Sequence, residues 1–369
     1  MRILIVRLRL IGDVVLTTPL MRALKRRYPD AHLTYLVEPA AAPVVRHNPH
    51  IDTLLVVQKP RGASRLRFDL SMGRTLRRGR FDIAIDLHGG PRAAWFTWAS
   101  RAPRRIGYDV RGRSWMYSDV VRRTADNAPR HSVANQWDLL TPLGIEPSDP
   151  GVDPVEMTVD ARATHAVERR LREAGIDDTH RLVVVHVSAG NPFRRWPRES
   201  FEALTIALAR RDPARRIILT AGPSDAPAAD AIADAVRVRL GPLAAAVPTL
   251  GDFDLPELRA LIGRAAMYIG GDSGPLHVAA TTTTPIVALF GPTRSERSMP
   301  WRDPRCFSEA IDAGALACRP CRQRVCEPGD FRCLTRISVE RVTAAAERAL
   351  STGAVDACQS EGARGCECS

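Results

Sequence analysis

The feature that most constrains this chain is an alternation that runs twice. In the first half, strand-sized apolar runs recur at RILIVRL, HLTYLVEP, IDTLLVV and FDIAIDLHG, and helix-like stretches such as TTPLMRALKRRYP separate some of them. That rhythm is the signature of a parallel sheet with crossover connections. Around Leu143 it stops at LGIEPSDPGVDPVEM, whose prolines and glycines mark a linker. It then restarts, with RLVVVHVS, RRIILTAG, AMYIGGD and PIVALFGPT as strands and PRESFEALTIALARRD and APAADAIADAVRVRL as helices. The chain is therefore expected to be α/β, with two Rossmann-like domains facing across an interdomain cleft. Residues 1–155 form the first domain; residues 156–350, including a Cys-rich segment, form the second; residues 351–369 are expected as a disordered tail. Ligands of such folds meet the carboxyl ends of the strands.

A length of 369 residues is too great for a single average core, in keeping with two domains. With 45% apolar and 25% charged residues the composition is that of an ordinary globular protein. No apolar run approaches the roughly 18–20 residues of a membrane span. No small-residue cleavage site follows the basic N-terminus, so no signal peptide is read and a cytoplasmic location is expected. The net charge of +12 is unevenly placed. Residues 1–150 hold 25 Arg and Lys against 13 Asp and Glu, whereas residues 151–369 hold 28 of each. Arginine-rich coding bias accounts for the scarcity of lysine, but not for the asymmetry. A basic half points to an anionic partner: nucleic acid, an anionic membrane surface or an acidic substrate.

No G-x-G-x-x-G follows the first strand and no G-x4-G-K-[ST] occurs, which weakens both a simple dehydrogenase and a P-loop NTPase. The most informative stretch is YIGGDSGPLHVAA. Gly270 and Gly271 permit a tight turn after the strand, Ser273 suits an N-cap, and Pro275 suits the first helical turn. Backbone N–H groups at Ser273, Gly274 and Leu276, with the helix dipole, suit a diphosphate. Asp272 suits sugar hydroxyls, and His277 lies one turn in. In HVSAGNPFRRWPRESF, Ser188 sits at a strand end, while Arg194 and Arg195 offer charge-assisted bonds to a diphosphate. Asp225, in LTAGPSDAP, lies just past another strand end and has the reach for ribose hydroxyls, although a turn aspartate is an equal reading. At the start of the chain, Asp13 stands where the first strand hands over to its helix. From the residues alone it is either an N-cap or a catalytic carboxylate.

The opening ILIVRLRLIGDVVLTTPLMRAL, then RRWP, then GGDSGPLHVAA with VALFGPT after it, and a Cys-rich segment last, resemble glycosyltransferase family 9, the ADP-heptose:lipopolysaccharide heptosyltransferases. The resemblance spans about residues 1–345. It implies a GT-B architecture with an N-terminal acceptor domain and a C-terminal sugar-nucleotide domain, and inverting transfer that requires no metal cofactor. By position, Asp13 matches the family's general base. Ser188 and Arg194 match donor-phosphate contacts, with Arg194 standing where the family usually has Lys, so that Arg195 is expected to share the role. Asp225 stands where Glu often meets the ribose. Gly271, Asp272, Ser273, Gly274 and His277 match the motif that holds the donor sugar and diphosphate. The implied partners are an ADP-sugar donor and an anionic glycolipid acceptor, with peripheral contact at the inner membrane surface. The basic stretches RRGRFD, RAPRRIGY and RGRSW are candidates to steer that acceptor. Trp95, Trp98 and Trp115 lie near them, for sugar stacking or simple packing.

Cys318, Cys321, Cys326 and Cys333 form C-x2-C-x4-C-x6-C. Four thiols this close suggest a structural metal, zinc ahead of an iron–sulfur cluster; free thiols or disulfides are the alternative. Arg319, Arg322 and Arg324 would favour thiolates in either case. Cys358, Cys366 and Cys368 receive no role. The rivals to the heptosyltransferase reading are a transferase or epimerase using another nucleotide sugar and, from a different class, a basic nucleic-acid-binding protein. The chain has no recognisable nucleic-acid-reading module, so nucleic acid is not expected as a partner.

Overall fold

In a computed structural model, residues 1–60, 62–123, 130–321 and 323–362 are described. They divide into two compact units: Met1–Thr158 with Trp301–Asp303, and Val159–Pro300 with the residues from Pro304 onward.

The first unit holds a six-stranded parallel sheet: β1 (Arg2–Val6), β2 (His32–Val37), β3 (Thr53–Val56), β4 (Ile83–Asp86), β5 (Arg104–Tyr108) and β6 (Asp119–Val121). Its order is β3-β2-β1-β4-β5-β6. The central strands read as continuous apolar runs because helices cover both faces of the sheet. Ile3, Leu4, Ile5 and Val6 are all fully buried. The chain leaves β1 toward one side and returns on the other, so β1 and β4 flank the point where the strand order reverses. Ligands of open α/β sheets bind at that place, outside the carboxyl ends.

The second unit holds β7 (Arg181–His186), β8 (Arg215–Thr220), β9 (Met267–Gly271), β10 (Ile286–Phe290) and β11 (Ser308–Asp312), all parallel, in the order β11-β10-β9-β7-β8. Here the order reverses between β7 and β9. The core joins these strands to the helices Arg198–Arg211 and Ala226–Leu240 and to the buried face of the closing helix, including Val342, Ala345, Ala346 and Ala349.

Three expectations are revised. The Pro-rich stretch after Leu143 is not a free linker but part of the first unit. Asp153 is fully buried and takes two bonds from Arg26 at 3.0 and 2.7 Å, and Val155 and Met157 are buried beside it. The unit boundary accordingly falls after Thr158, and Trp301 returns to the first unit by donating from its indole to the Asp153 carbonyl at 2.8 Å. The closing helix, Val339–Gly362, runs through the start of the expected tail; residues 363–369, with Cys366 and Cys368, lie outside the described residues, as does Arg322. Finally, RAPRRIGY is a strand rather than a free basic patch. Arg104 is held by Asp119 at 3.1 Å, and Arg105 donates to the Met116 and Ala102 carbonyls.

Candidate functional site

Each sheet carries a cluster of polar side chains at its reversal point. In the first unit, the helix Ile11–Val15 follows β1, and Asp13 is its third residue rather than its N-cap, which is Leu10. The Asp13 carboxylate is 40% exposed and is gripped through Oδ2, by Arg7 Nη2 at 2.5 Å and the Leu10 N–H at 3.4 Å. Its Oδ1 takes no hydrogen bond among the described residues. Arg7 is itself anchored, its other terminal nitrogen donating to the Leu87 carbonyl just past β4. The carboxylate therefore has a fixed orientation and one open oxygen.

The neighbouring strand end supplies residues that sequence reasoning missed. Asp86 closes β4 and is fully buried. Its Oδ1 accepts from the backbone N–H groups of His88 and Gly89, both at 2.8 Å, and its Oδ2 from the Tyr117 hydroxyl at 2.6 Å. Burial pushes the Asp86 carboxyl above the usual range, opposed by those donors and by the charge of Arg7. Burial lowers His88, and the positive charge of Arg7 adds to the effect. The His88 ring reaches the Arg9 carbonyl at 3.2 Å, and Arg113 Nη2 donates to the Gly89 carbonyl at 3.3 Å. Gly107 on β5 leaves room for Tyr117: a Cβ there would stand 2.4 Å from the phenol ring. At the edge of this rim the Trp98 and Trp115 rings meet at 6.0 Å, and Trp115 is 64% exposed. Trp95 instead packs edge-on against Phe96.

In the second unit, Asp272 follows β9 and is the hub. Only 2% exposed, its Oδ2 accepts from the Thr293 hydroxyl at 2.5 Å and pairs with Arg194 Nη1 at 3.1 Å. His277 Nε2 lies 4.0 Å from Oδ1. The buried carboxylate thus fixes Thr293 and Arg194 through one oxygen and has His277 near the other. Arg194 is further fixed by Gln323, which also accepts from Asn191, and its Nη2 takes no partner among the described residues. Arg195 binds Asp225 through Nη2 at 2.9 Å and the Ala189 carbonyl through Nε, leaving Nη1 open. Gly271 permits this arrangement, since a Cβ there would approach the Arg194 carbonyl to 3.0 Å.

Ser273 occupies the N-cap position of the helix Gly274–Ala279 without making a side-chain cap bond, and its hydroxyl is buried without a partner among the described residues. Ser188, past β7, accepts from the Gly222 N–H at 2.8 Å and lies 3.1 Å from His186 Nε2. Burial pushes His186 down to about 4, so its ring is neutral at physiological pH and bridges Ser188 to Thr220. The structure therefore brings Asp272, Arg194, Ser273 and His277 to one strand end, and Arg195 with Asp225 to the adjacent loops. Beside Asp225, a pocket of about 220 Å³ opens at the end of β8, with apolar walls that include Leu219, Ala229, Phe253 and Leu258 and a polar rim that includes Asp230 and Arg237. Nothing in the sequence motifs marked it.

All four motif cysteines line another pocket, of about 590 Å³. Among the described residues no three His, Cys, Asp or Glu side chains converge to hold an ion, and these cysteines form no disulfides. Cys333, on the short helix Arg332–Thr335, is buried beside Leu334 against the core and lines the same pocket as the other three. Burial and the neighbouring thiols push the Cys333 thiol up.

The family model of glycosyltransferase family 9 (heptosyltransferase) matches residues 70–330. A lipopolysaccharide heptosyltransferase 3 of Escherichia coli K12 is 30% identical over 298 residues, 79% of this chain and 83% of its own length. Among solved structures, a glycosyltransferase family 9 protein of Veillonella parvula is similar with a TM-score of 0.80 at 24% identity, covering 95% of this chain and 97% of that one. An Escherichia coli heptosyltransferase with ADP-2-deoxy-2-fluoro heptose is similar with a TM-score of 0.67 at 20% identity, covering 94% and 99%.

Proposed function

Because this chain belongs to glycosyltransferase family 9 and is a glycosyltransferase, we propose the reaction that its two sites serve: inverting transfer of a heptose from ADP-heptose to an inner-core acceptor of lipopolysaccharide. The observation that carries the mechanism is the contrast between the two reversal points. One presents a carboxylate with an open oxygen. The other presents two arginines, each with an unengaged guanidinium nitrogen.

The pocket beside Asp225 receives the base, and the free oxygen of Asp225 meets the ribose. Arg194, Arg195 and the helix N-terminus at Ser273 take the diphosphate, with the Ser273 hydroxyl gaining the partner it lacks. As the glycosidic bond to the diphosphate breaks, the negative charge growing on the departing oxygen falls to these donors, which is where fixed positive groups accelerate transfer most. The acceptor hydroxyl attacks the anomeric carbon from the opposite face, and Asp13 Oδ1 takes its proton. Positive charge for the leaving group comes from the arginines, so donor binding needs no metal cofactor. The acceptor is carried at the cytoplasmic face of a membrane, and exposed arginines of the first unit steer it inward. Among the described residues no helix is long and apolar enough to cross a membrane, so contact with that surface is peripheral in this reading.

Calorimetric titration in EDTA with ADP, UDP, GDP and CMP tests the donor side. ADP-selective binding supports the reading. A preference for UDP or GDP changes the donor, and binding that appears only after a divalent cation is added removes the metal-independent part.

A further inference from the structure

The helix Ala63–Arg78 has two unlike faces. Its inner face packs on the first unit through Leu76, fully buried, and Met72, half-buried, while Gly73 lies close under the Trp95 ring. Its one acid, Asp69, also turns inward, and Arg92 Nη2 holds it at 2.6 Å. The outer face is different. Leu66 is 66% exposed and Leu70 42%, one turn apart. At 100° per residue, Arg67, Arg74, Arg77 and Arg78 fall within the same third of the helix circumference as these leucines. All four arginines are exposed, and none forms an ion pair among the described residues.

The position of this face matters as much as its composition. Arg92 ties Asp69 to Glu38, just past β2, and to the Gln58 carbonyl, just past β3. The end of the helix that carries the leucines therefore sits at the carboxyl rim of the first sheet, the rim that also carries Asp13.

We propose that the outer face of this helix docks the chain on an anionic lipid bilayer, with Leu66 and Leu70 entering the headgroup boundary and the arginines meeting lipid phosphates. Arginine stems lie along an apolar surface while their heads stay in the polar layer, and an Arg-flanked leucine pair suits that interface. A nucleic-acid backbone would use the arginines but gain nothing from the leucines. The inference deepens the reading of a membrane-borne acceptor, because docking would bring the bilayer to the rim where such an acceptor must enter.

The test uses the full chain with vesicles of phosphatidylethanolamine alone and of phosphatidylethanolamine with phosphatidylglycerol, in a flotation assay. Binding to the anionic vesicles is expected, weakening as salt rises. Each arginine removed is expected to weaken it about five-fold, so R67Q/R74Q should lose about 25-fold. L66S/L70S should also lose binding, at unchanged melting temperature. Transfer to a water-soluble, delipidated acceptor should be unaffected in L66S/L70S, whereas transfer to a vesicle-borne acceptor falls in both variants. Binding that is equal with and without phosphatidylglycerol, or that survives L66S/L70S, overturns the proposal, as does tight duplex DNA binding without vesicle binding. If no acceptor is glycosylated but the vesicle results hold, the transferase reading fails and the docking surface stands.

Discussion

Replacing Asp13 with Asn separates the proposed chemistry of this carboxylate from its place in the architecture. The carboxylate is fixed through Oδ2, by Arg7 at 2.5 Å and by the Leu10 N–H, and Oδ1 is open. An asparagine placed with its carbonyl oxygen at the Oδ2 position keeps both contacts and puts an amide where the open oxygen was. Geometry is then preserved while the proton acceptor is lost. A positioned general base contributes about 10²–10⁴ in rate, or about 3–5 kcal/mol of activation free energy. The cost in stability is much smaller. The pair is part-exposed, at 11% for Arg7 and 40% for Asp13, so solvent screening leaves about 1 kcal/mol or less. The assay is steady-state release of ADP from ADP-heptose with a delipidated core acceptor, alongside thermal melting. The expected result is a kcat at least a hundred-fold lower, with KM for the donor and the melting temperature nearly unchanged. A kcat within ten-fold of wild type, in a variant that melts normally, would refute the assignment of Asp13 as the base.

Two further outcomes follow from the second unit. Arg194→Gln removes a guanidinium that pairs with buried Asp272 and still has an open nitrogen. ADP affinity measured by calorimetry should fall about 10–100-fold, the range of a lost charge-assisted bond, and unaltered affinity would detach Arg194 from the diphosphate. His186 gives a pH signature. Its folded value, about 4, lies below the 6.5 of an exposed histidine because burial disfavours the charged ring. The unfolded chain therefore binds the extra proton first. This contribution to stability is complete above pH 6.5 and lost as pH falls toward 4, by about 3 kcal/mol. Urea unfolding of wild type and His186→Gln at pH 7 and pH 4.5 should show the variant losing less stability on acidification, and equal losses would rule the account out.

The parts of this fold that were legible in the sequence are those where burial dictates composition. β1, β7, β9 and β10 are covered on both faces, so they must be unbroken apolar runs, and RILIV or IVALF admits little else. β5, β6 and β11 lie at or near sheet edges, where one side meets solvent. Arg104 and Arg105 fit there once paired with Asp119 and nearby carbonyls, but their charge hid the strand. The site divides in the same way. Asp13 and Asp272 were visible because each sits at a strand-to-helix turn with glycine beside it. Tyr117 on Asp86, Thr293 on Asp272 and Gln323 on Arg194 were not, because their partners are 31, 21 and 129 residues away. Such pairings are set by topology, and no local pattern records them. The cysteines show the converse: their spacing in the sequence does bring all four to one pocket, with Cys333 packed against the core.

The same comparison explains why three aspartates at similar positions do different work. Asp86 and Asp272 both follow central strands and are 0% and 2% exposed. Asp86 has three donors on its two oxygens; Asp272 has a hydroxyl and a guanidinium on one oxygen and a histidine 4.0 Å from the other. A buried carboxylate so engaged holds its neighbours in place, and in Asp86 both oxygens are taken. Asp13 stands one layer further out, with a single oxygen engaged. Its partner Arg7 also donates to the Leu87 carbonyl, next to Asp86 in the chain. The buried aspartate shapes the loop through the backbone of His88 and Gly89, that loop anchors the arginine, and the arginine aims the exposed carboxylate. The rigidity of this rim is set at the buried aspartate and passed through Arg7 to the exposed carboxylate of Asp13.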